Sequence, residues 1–355
     1  MSTHLKAGVC GHFGGGGSFS DGQTVKTVVM TEQLRKIWGA EQVLSLDTYQ
    51  WKKHIFRILF QSFNMIKRCE NILLLPARNG VRVFIPLFLF LNKFYRRKLH
   101  YVIIGGWLPD VLKESPYLLR KMKKLDSLCA ETVTMTEKLK ALGLSKVYFL
   151  PNFKQLSITQ DISYEPGTSL PLCTFSRVIK IKGICEAVEA VRRVNEKSGR
   201  IAYTLDIWGD IHPGFSEEFA KLQAEFPSYI NYKGCLSYAE TTETLKSYFA
   251  LLFPTRYFRG EGIPGSILDS YAAGVPVLSS HFVNAPQIIE HGETGLILDF
   301  EHITEALEET LTRLAEHPEE LIAMRKACTL KAADYQAEKV VAEFADMLCG
   351  KEMLP

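Results

Sequence analysis

Short apolar runs alternate with amphipathic stretches along most of the chain. In the first half, six such runs are predicted to be buried strands, at residues 5–10, 43–46, 71–75, 101–104, 133–135 and 147–150. Apolar positions recur at helical spacing between them, as in residues 24–38 and 116–128. This alternation predicts an α/β domain whose parallel sheet is covered by helices on both faces.

A polar segment with Pro and Gly, residues 158–171, interrupts the alternation and is predicted to be a linker. A second series of predicted strands follows, at residues 172–176, 203–208, 230–232, 250–253, 275–279 and 295–298. Two sheets in succession predict two Rossmann-like domains. Such sheets bind ligands beyond the carboxyl ends of their strands, so the site is expected in the cleft between the domains.

Composition is that of a soluble globular protein, with 46% apolar and 23% charged residues among 355. The eight cysteines have no metal-ligand or disulfide-framework spacing, which predicts reduced thiols. No signal segment is recognisable, and the longest apolar run, residues 83–91, is interrupted by Pro86 and too short to span a bilayer. These features predict a cytoplasmic protein that could touch a membrane from the inner face.

The charge is divided unequally between the two halves. Residues 1–150 hold 23 Lys and Arg against 10 Asp and Glu, and the remainder holds 19 against 29. A half with a net charge of +13 could meet an anionic membrane, a phosphorylated acceptor or nucleic acid, or be simply a solvated surface. Residues 51–68 combine large apolar side chains with five cations, which is typical of an interfacial amphipathic helix. The aromatic, basic residues 84–98 fit such a surface or a helix packed on its own sheet.

A glycine-rich loop, GHFGGGGSFSDGQTVKT at residues 11–27, follows the first predicted strand. Backbone N–H groups at Gly15, Gly16 and Gly17, followed by a helix, would suit phosphate or sugar oxygens, although a merely flexible loop has the same composition. No Gly-Lys-Ser/Thr sequence closes the loop, which argues against an NTPase. Lys26 in the next helix is a candidate for an anion, or an ordinary surface charge.

Two further constellations lie in the second half. SRVIKIKG at residues 176–183 places Arg177 and Lys182 after a strand, where they would neutralise a diphosphate. The second, residues 254–277, runs from a strand through a glycine-rich loop into a helix. Its two carboxylates, Glu261 before the helix and Asp269 about one turn inside it, suit a ligand with hydroxyl and diphosphate parts.

These two segments resemble the signatures of family 4 retaining glycosyltransferases, in which the usual patterns are Arg-x4-Lys-Gly and Glu-x7-Glu. The resemblance covers nearly the whole second half, and the first half resembles bacterial capsular and exopolysaccharide members more loosely. It implies an α/β protein of the GT-B fold, with two Rossmann-like α/β/α domains facing across a cleft. Residues 1–160, with a helix at about 337–355 packed back on them, would bind the acceptor, and residues 165–334 would bind the donor.

The resemblance also implies roles for individual residues. Arg177 and Lys182 would hold the donor diphosphate, and Glu261 would face the transferred sugar as the third catalytic residue. Asp269 would bind the ribose, whereas the other donor contacts would come from Gly15, Gly16, Gly17, Gly234, Cys235, Leu236, Gly262, Ile263, Pro264, Gly265 and Ser266. Acceptor contacts are predicted at His12, Gln23, Lys26, Trp107 and Asp110.

Two departures from the family pattern matter. Asp269 is one methylene shorter than the usual Glu, so the helix must approach the ribose more closely or a water must bridge. The His that many members place near the sugar is absent from the corresponding segment, IGGWLPD at residues 104–110.

The resemblance implies a reaction that moves a sugar from a nucleoside diphosphate sugar, expected to be a UDP-sugar, to a glycan or lipid-diphosphate-linked glycan in bacterial cell-surface polysaccharide synthesis. It needs no cofactor and no metal, and its leaving phosphate helps to deprotonate the acceptor. A GT-B nucleotide-sugar epimerase and a non-catalytic partner subunit of the same fold are the alternatives. Nucleic acid is not an expected partner.

Overall fold

The computed structural model describes residues 4–16 and 22–351 of the chain. It divides into two compact units, the first formed by Met1–Gln155 and Tyr335–Pro355 and the second by Leu156–Asp334. Each unit is built on a six-stranded parallel sheet. The two α/β sheets that the sequence predicts are therefore confirmed.

The first unit holds six strands and seven helices in its described part. The strands are β1 (Leu5–Gly11), β2 (Val43–Asp47), β3 (Cys69–Leu75), β4 (Lys98–Val102), β5 (Ser127–Ala130) and β6 (Val147–Phe149). The helices are α1 (Gly22–Trp38), α2 (Ile55–Arg68), α3 (Val81–Tyr95), α4 (Leu108–Glu114), α5 (Pro116–Met122), α6 (Val133–Ala141) and, from the end of the chain, α15 (Ala337–Leu348). Short 3-10 turns lie at Gly14–Gly16, Ala40–Gln42 and Trp51–Lys53.

The first sheet has the strand order β2-β1-β3-β4-β5-β6 and is buried on both faces. Successive side chains of a strand point to opposite faces, so β3 contributes to two separate cores. Ile72 and Leu74 pack with α2 to α6, whereas Leu73 and Leu75 pack with α1 and α15. This double burial explains why the strands appear in the sequence as continuous apolar runs.

The second unit repeats the plan with six strands and eight helices in its described part. The strands are β7 (Leu170–Phe175), β8 (Tyr203–Trp208), β9 (Ile230–Gly234), β10 (Ala250–Phe253), β11 (Val277–Ser280) and β12 (Gly295–Leu298). The helices are α7 (Ile184–Ser198), α8 (Ser216–Ala224), α9 (Thr241–Leu245), α10 (Gly265–Ala272), α11 (Ala285–Ile288), α12 (Ile303–Glu316), α13 (Glu319–Ile322) and α14 (Arg325–Ala333), with 3-10 turns at Lys180–Lys182 and Pro213–Phe215.

Two local predictions from the sequence are wrong. Residues 133–135 begin helix α6, because Thr132 caps it by accepting a hydrogen bond from Met135 N at 3.1 Å. The strand of this region, β5, lies just before that helix, at Ser127–Ala130. The helix predicted for residues 116–128 therefore ends earlier, at Met122.

The segment predicted as a linker, residues 158–171, has no helix or strand before Leu170 and belongs to the second unit. Thr159 N donates to Ala272 O at 2.8 Å, and the buried guanidinium of Arg325 donates to Ile162 O and lies 5.0 Å from the Tyr164 ring centroid. The last two residues of this segment are already part of β7.

Within the described residues, every helix is too short or too polar to cross a membrane.

Candidate active site

The strand order of the second sheet brings two of the predicted segments together. The order β12-β11-β10-β7-β8-β9 places the first strand of this unit, β7, beside the fourth, β10. All strands here are parallel, but the order in which strands are added to the sheet reverses between these two, and ligands of open α/β sheets bind at such a point. The loop after β7 carries Lys182, and the loop after β10 carries Glu261.

Lys182 and Glu261 form an ion pair at this point. The Lys182 ammonium contacts Glu261 Oε1 although the two residues are 79 positions apart in the chain. The Lys182 side chain is 21% exposed and that of Glu261 is 9% exposed, so both charges are shielded from bulk water. The ammonium also lies 5.2 Å from the centroid of the Phe253 ring, which limits where it can move.

Two residues that sequence reasoning missed hold Glu261 in place. Thr255 is fully buried and donates from Oγ1 to Glu261 Oε1 at 2.9 Å. Asn284, in the loop after β11, donates from Nδ2 to the main-chain oxygen of Glu261 at 2.6 Å. The carboxylate and the backbone of Glu261 are therefore fixed from different directions. No spacing rule in the sequence points to either partner.

Gly183 allows the β7 loop to approach the β10 loop this closely. Its φ is 75°, and a Cβ atom there would lie 1.9 Å from the carbonyl oxygen of Pro254. Both the backbone conformation and the space therefore favour glycine, which accounts for the Lys-Gly pair at the end of the SRVIKIKG segment. Arg256 N completes the contact by donating to Ile181 O at 2.8 Å.

The loop from Gly262 to Ser266 leads into helix α10. Pro264 is the residue before its first turn, and the amides of Gly265 and Ser266 have no partner within the helix because of their position. Asp269 is the fifth residue of α10 and is 5% exposed, with a polar contact of its own. Ile263 is also buried and makes an interaction of its own. The buried acids Glu261 and Asp269 thus flank the start of this helix.

Two arginines near the Lys182–Glu261 pair differ in the contacts that they already make. Arg177 lies two residues after the end of β7, is exposed, and has no ion pair with any residue the structure describes. Arg256, a residue that the sequence analysis did not select, packs its guanidinium 4.7 Å from the Phe300 ring centroid and 3.9 Å from Glu186. Arg177 is therefore the more available of the two arginines for an anionic ligand.

The predicted base-binding residues Gly234, Cys235 and Leu236 lie at the end of β9, two strands away from β7. Gly234 O accepts from Gly209 N at 2.8 Å, which ties this turn to the end of β8. Cys235 is exposed and Leu236 is half-buried. They share the carboxyl edge of the sheet with Lys182.

The glycine-rich loop of the first unit is organised by Asp47, another residue missed from the sequence. Its carboxylate accepts from Phe13 N at 2.9 Å, from Gly15 N at 2.8 Å and from Tyr49 N at 2.8 Å. The amide of Gly15, which was predicted to face phosphate, is thus already bonded to a carboxylate. Gly16 follows it in the same 3-10 turn, and Gly17 lies outside the described residues. Donor contact by this loop stays a prediction.

Lys26 is placed differently from the surface or anion-binding cation that the sequence suggested. It is 2% exposed, and its Nζ lies 2.5 Å from Oε1 of Glu131, which follows β5. Its ammonium is also 5.5 Å from the Phe153 ring centroid. A lysine enclosed in this way serves the interior of the first unit, because a ligand would have to displace a buried carboxylate to reach it.

The other residues predicted to bind the acceptor are spread over the first unit. His12 Nδ1 lies 2.7 Å from Thr24 Oγ1, and Gln23 donates to Leu75 O at 3.3 Å. Trp107 donates from its indole N–H to Ile104 O at 2.7 Å, and Asp110 is exposed and 3.6 Å from Lys113. Gln23 lies in α1, which follows β1, and Trp107 follows β4 of the same sheet. Their role in acceptor binding stays a prediction.

Within the described residues, no group of three or more His, Cys, Asp and Glu side chains is arranged to hold a metal ion.

Comparison with known proteins finds similarity to glycosyltransferases. Residues 171–317 match the family model described as "Glycosyl transferases group 1", and this range contains Arg177, Lys182, Glu261 and Asp269. A curated relative, the amylovoran biosynthesis glycosyltransferase AmsK of Erwinia amylovora, is 25% identical over 175 residues. That match covers 48% of this chain and 42% of AmsK, so the chain matches less than half the length of this relative.

Solved structures show the fold. HepE of Anabaena, crystallised with UDP and glucose, has a TM-score of 0.74 at 12% identity, and the match covers 98% of this chain and all of that one. Sucrose-phosphate synthase from Thermosynechococcus elongatus has a TM-score of 0.75 at 10% identity, with 98% and 99% covered. The pneumococcal O-GlcNAc transferase GtfA, solved with UDP and GlcNAc, has a TM-score of 0.65 at 18% identity, with 84% and 60% covered. The chain has the GT-B fold of these glycosyltransferases.

Proposed function

We propose that this protein transfers a glycosyl group from a nucleoside diphosphate sugar, most simply a UDP-sugar, to a hydroxyl of a glycan or lipid-linked glycan, with retention of configuration. The observation that carries the proposal is the shielded Lys182–Glu261 pair where β7 and β10 diverge. A ligand that engages both residues must present an anionic group beside a hydroxylated one. The phosphate and the sugar of a nucleotide sugar are joined in that way.

Lys182 and Arg177 act on the leaving group in this proposal. Breaking the bond between sugar and phosphate leaves a diphosphate whose negative charge must be stabilised. Lys182 supplies a shielded ammonium, and the exposed Arg177 can bind phosphate through two N–H groups. Two cations can neutralise this charge without a metal ion, so we propose that the reaction is metal-independent.

Glu261 positions the transferred sugar. An ionised carboxylate accepts strong hydrogen bonds from sugar hydroxyls, and its orientation is set by Thr255 and Asn284. Asp269, inside α10, is assigned to the ribose, as the resemblance to family 4 implies. Because neither acid is assigned as a nucleophile, retention is attributed to a front-face displacement in which the departing phosphate accepts the acceptor proton.

The proposed acceptor and its location are considered next, beginning with the names of the similar proteins. AmsK is named for amylovoran biosynthesis, and HepE and GtfA were solved with UDP and a sugar. The name of AmsK agrees with a role in cell-surface polysaccharide synthesis, and the two UDP complexes agree with a UDP-sugar donor. A lipid-linked acceptor at the inner face of the membrane is our own proposal. Peripheral contact of the protein with anionic lipid is part of this proposal.

A donor screen with a matched lysine pair tests the proposal. UDP-glucose, UDP-galactose, UDP-N-acetylglucosamine and GDP-mannose are added singly, and the thermal shift and the slow release of nucleoside diphosphate are measured. We expect one donor to raise the melting temperature of wild type and to be hydrolysed slowly. Lys182→Ala should abolish this donor-dependent shift.

Lys180→Ala is the control, because Lys180 belongs to the same turn but is 70% exposed and pairs with Glu218. It should behave as wild type. If no nucleotide sugar shifts the melting temperature, or if the two lysine variants respond equally, this assignment of the site is wrong. A donor that binds and never releases its nucleotide would favour the non-catalytic alternative.

A further inference from the structure

Helices α2 and α3 of the first unit present an unusual apolar surface to solvent. On α2, Ile55, Phe56, Leu59, Phe60 and Phe63 are between 44% and 85% exposed. On α3, Phe90 and Phe94 are 56% and 72% exposed. These seven side chains are called the aromatic face below. Contiguous apolar patches of this kind on a water-soluble domain mark surfaces that meet an apolar partner.

The apolar stripe of α2 is wider than its own core requires. Its inward side is already provided by four buried residues, Ile58, Ser62, Met65 and Ile66. Phe56, Phe60 and Phe63 follow one another at spacings of four and three, so they form a second stripe, displaced around the helix from the buried one. Packing on the sheet therefore explains only part of the hydrophobicity of α2.

Contacts between the two helices make the aromatic face a single surface. The ring of Phe63 on α2 lies 5.8 Å from the ring of Tyr95 at the end of α3, edge to face. Arg97, just after α3, donates to the carbonyl oxygens of Ile66 and Lys67 at 3.1 and 3.0 Å. Phe90 and Phe94 also contact each other, with ring centroids 6.2 Å apart. The face is thus held in shape before any partner arrives.

The charge around the aromatic face selects the partner. Residues 48–109 contain 11 Lys and Arg and one acidic residue, Glu70, which gives a net charge of +10. Lys93 lies 5.8 Å from the centroid of the Phe90 ring, and Lys52 lies 5.9 Å from that of Trp51, so cations border the rings directly. An exposed aromatic surface bordered by cations matches an anionic lipid headgroup layer above an apolar acyl region.

We infer that α2 and α3 together form a membrane-docking surface for anionic lipid, with Phe56, Phe60 and Phe94 entering the boundary between headgroups and acyl chains. The surrounding lysines and arginines contact lipid phosphates. This inference rests on the proposed function in one respect only: a lipid-linked acceptor would explain why the protein binds a membrane. It extends the peripheral contact predicted from residues 51–68 by assigning α3 to the same surface and by naming the inserted side chains.

Flotation of the full chain with vesicles tests the inference in the absence of any donor. Vesicles of phosphatidylcholine alone are compared with vesicles that also contain phosphatidylglycerol, at low and high salt. We expect recovery with the anionic vesicles only, decreasing as salt rises. Phe56→Ala/Phe60→Ala and Phe94→Ala should each reduce the vesicle partition coefficient roughly tenfold or more, because the lost insertion removes apolar burial.

Matched controls separate the surface from general effects. Leu330→Ala removes an apolar side chain that is 65% exposed on α14 of the second unit, and it should leave partitioning unchanged. Lys52→Glu/Lys53→Glu should weaken binding strongly, whereas Lys138→Glu/Lys140→Glu makes the same charge change on α6, beside β5 and β6, and should cost much less.

Three results would count against this membrane-docking surface. Equal recovery with neutral and anionic vesicles would exclude anionic lipid as the partner. If the phenylalanine variants float like wild type, the aromatic face is not the docking surface. Self-association that these variants abolish, without vesicle binding, would assign the face to a second copy of the chain.

Slow donor hydrolysis in solution, measured on the same variants, tests the proposed function separately. Phe56→Ala/Phe60→Ala should retain it, so a failed donor screen leaves the vesicle result standing and a failed flotation leaves the donor result standing.

Discussion

Thr255 donates a 2.9 Å hydrogen bond from Oγ1 to Oε1 of Glu261, the same carboxylate oxygen that receives the Lys182 ammonium. One buried hydroxyl and one shielded cation therefore act on a single oxygen. Thr255 Oγ1 also accepts from Tyr257 N at 3.2 Å, which fixes the hydroxyl relative to the loop after β10. We interpret Thr255 as a positioning residue that orients the Glu261 carboxylate.

Thr255→Val keeps the shape of the side chain and removes its hydrogen bonds. We expect kcat to fall about 10- to 150-fold, because a hydrogen bond to a charged group contributes about 1.5–3 kcal/mol. Donor KM should change little, and Thr255→Ser should restore most of kcat. Steady-state kinetics on the three proteins measures this difference.

Thr174→Val is the control for this substitution. Thr174 is also buried in the same unit, but its Oγ1 has no hydrogen-bond partner within the described residues. If Thr174→Val and Thr255→Val lower kcat equally, the effect of Thr255 is one of general packing.

Sequence reasoning reached Lys182 and Glu261 because each follows a strand, and strand ends of one parallel sheet lie at the same edge. It did not reach Thr255 or Asn284, since their importance depends on which group faces them across the fold. Lys26 shows the same limit, because its partner Glu131 is 105 positions away in the chain. Spacing identifies the residues on an element, whereas the partner of a buried charge is set by tertiary packing.

The Lys26–Glu131 pair provides a stability prediction. Lys26→Met leaves the Glu131 carboxylate buried without its cation, and breaking a buried pair in this way costs about 3–5 kcal/mol of unfolding free energy. Urea denaturation should show this loss, and Lys26→Met/Glu131→Met should recover a large part of it. Lys36→Met, which alters a lysine 59% exposed and 3.9 Å from Glu338, should change stability by less than about 1 kcal/mol. Similar losses in the two lysine variants would contradict the role assigned to the buried pair.

His100 on β4 makes the first unit sensitive to acid. Burial lowers its pKa from 6.5 to about 4, an effect that Asp126 opposes and Lys98 reinforces. The neutral ring contacts Ser127 Oγ at 2.8 Å and Asn71 Oδ1 at 3.2 Å. Between these two pKa values the unfolded chain binds a proton that the folded chain does not. The contribution of His100 to stability is therefore complete above pH 6.5 and is lost as the pH falls toward 4.

Wild type should lose about 3 kcal/mol more unfolding free energy between pH 7 and pH 4 than His100→Asn does. Urea midpoints measured across this range provide the comparison. His54→Asn changes an exposed histidine and should keep the wild-type pH dependence. If His100→Asn retains the full acid sensitivity, the loss comes from other groups.

The proposed metal independence is tested by chelation. If Arg177 and Lys182 supply the positive charge for the leaving diphosphate, as proposed, turnover should persist in excess EDTA. Added Mg²⁺ or Mn²⁺ should raise it less than about twofold, because their charge would be redundant at this site. Loss of most turnover on chelation, restored by either ion, would show that the two cations are not sufficient. Initial rates at saturating donor make the comparison.

The last prediction separates Glu261 from Asp269. Glu261 lies next to Lys182, where the proposed reaction develops charge as the bond between sugar and phosphate breaks, whereas Asp269 lies inside α10 and is assigned to the ribose. An interaction of equal strength in the ground and transition states affects KM, and one that strengthens in the transition state affects kcat. Asp269→Asn should therefore raise donor KM about 10- to 150-fold, from a loss of about 1.5–3 kcal/mol.

Glu261→Gln should mainly lower kcat while donor binding is largely kept. It also frees the Lys182 ammonium from its carboxylate partner, so calorimetry should find donor affinity equal to or slightly above that of wild type. Steady-state kinetics and calorimetric donor binding on both variants distinguish the two roles. Lost turnover at saturating donor in Asp269→Asn, together with lost affinity alone in Glu261→Gln, would reverse the assignment. Wild-type behaviour in both would place the reaction elsewhere, because two buried acids at a working site cannot both lose their charge without effect.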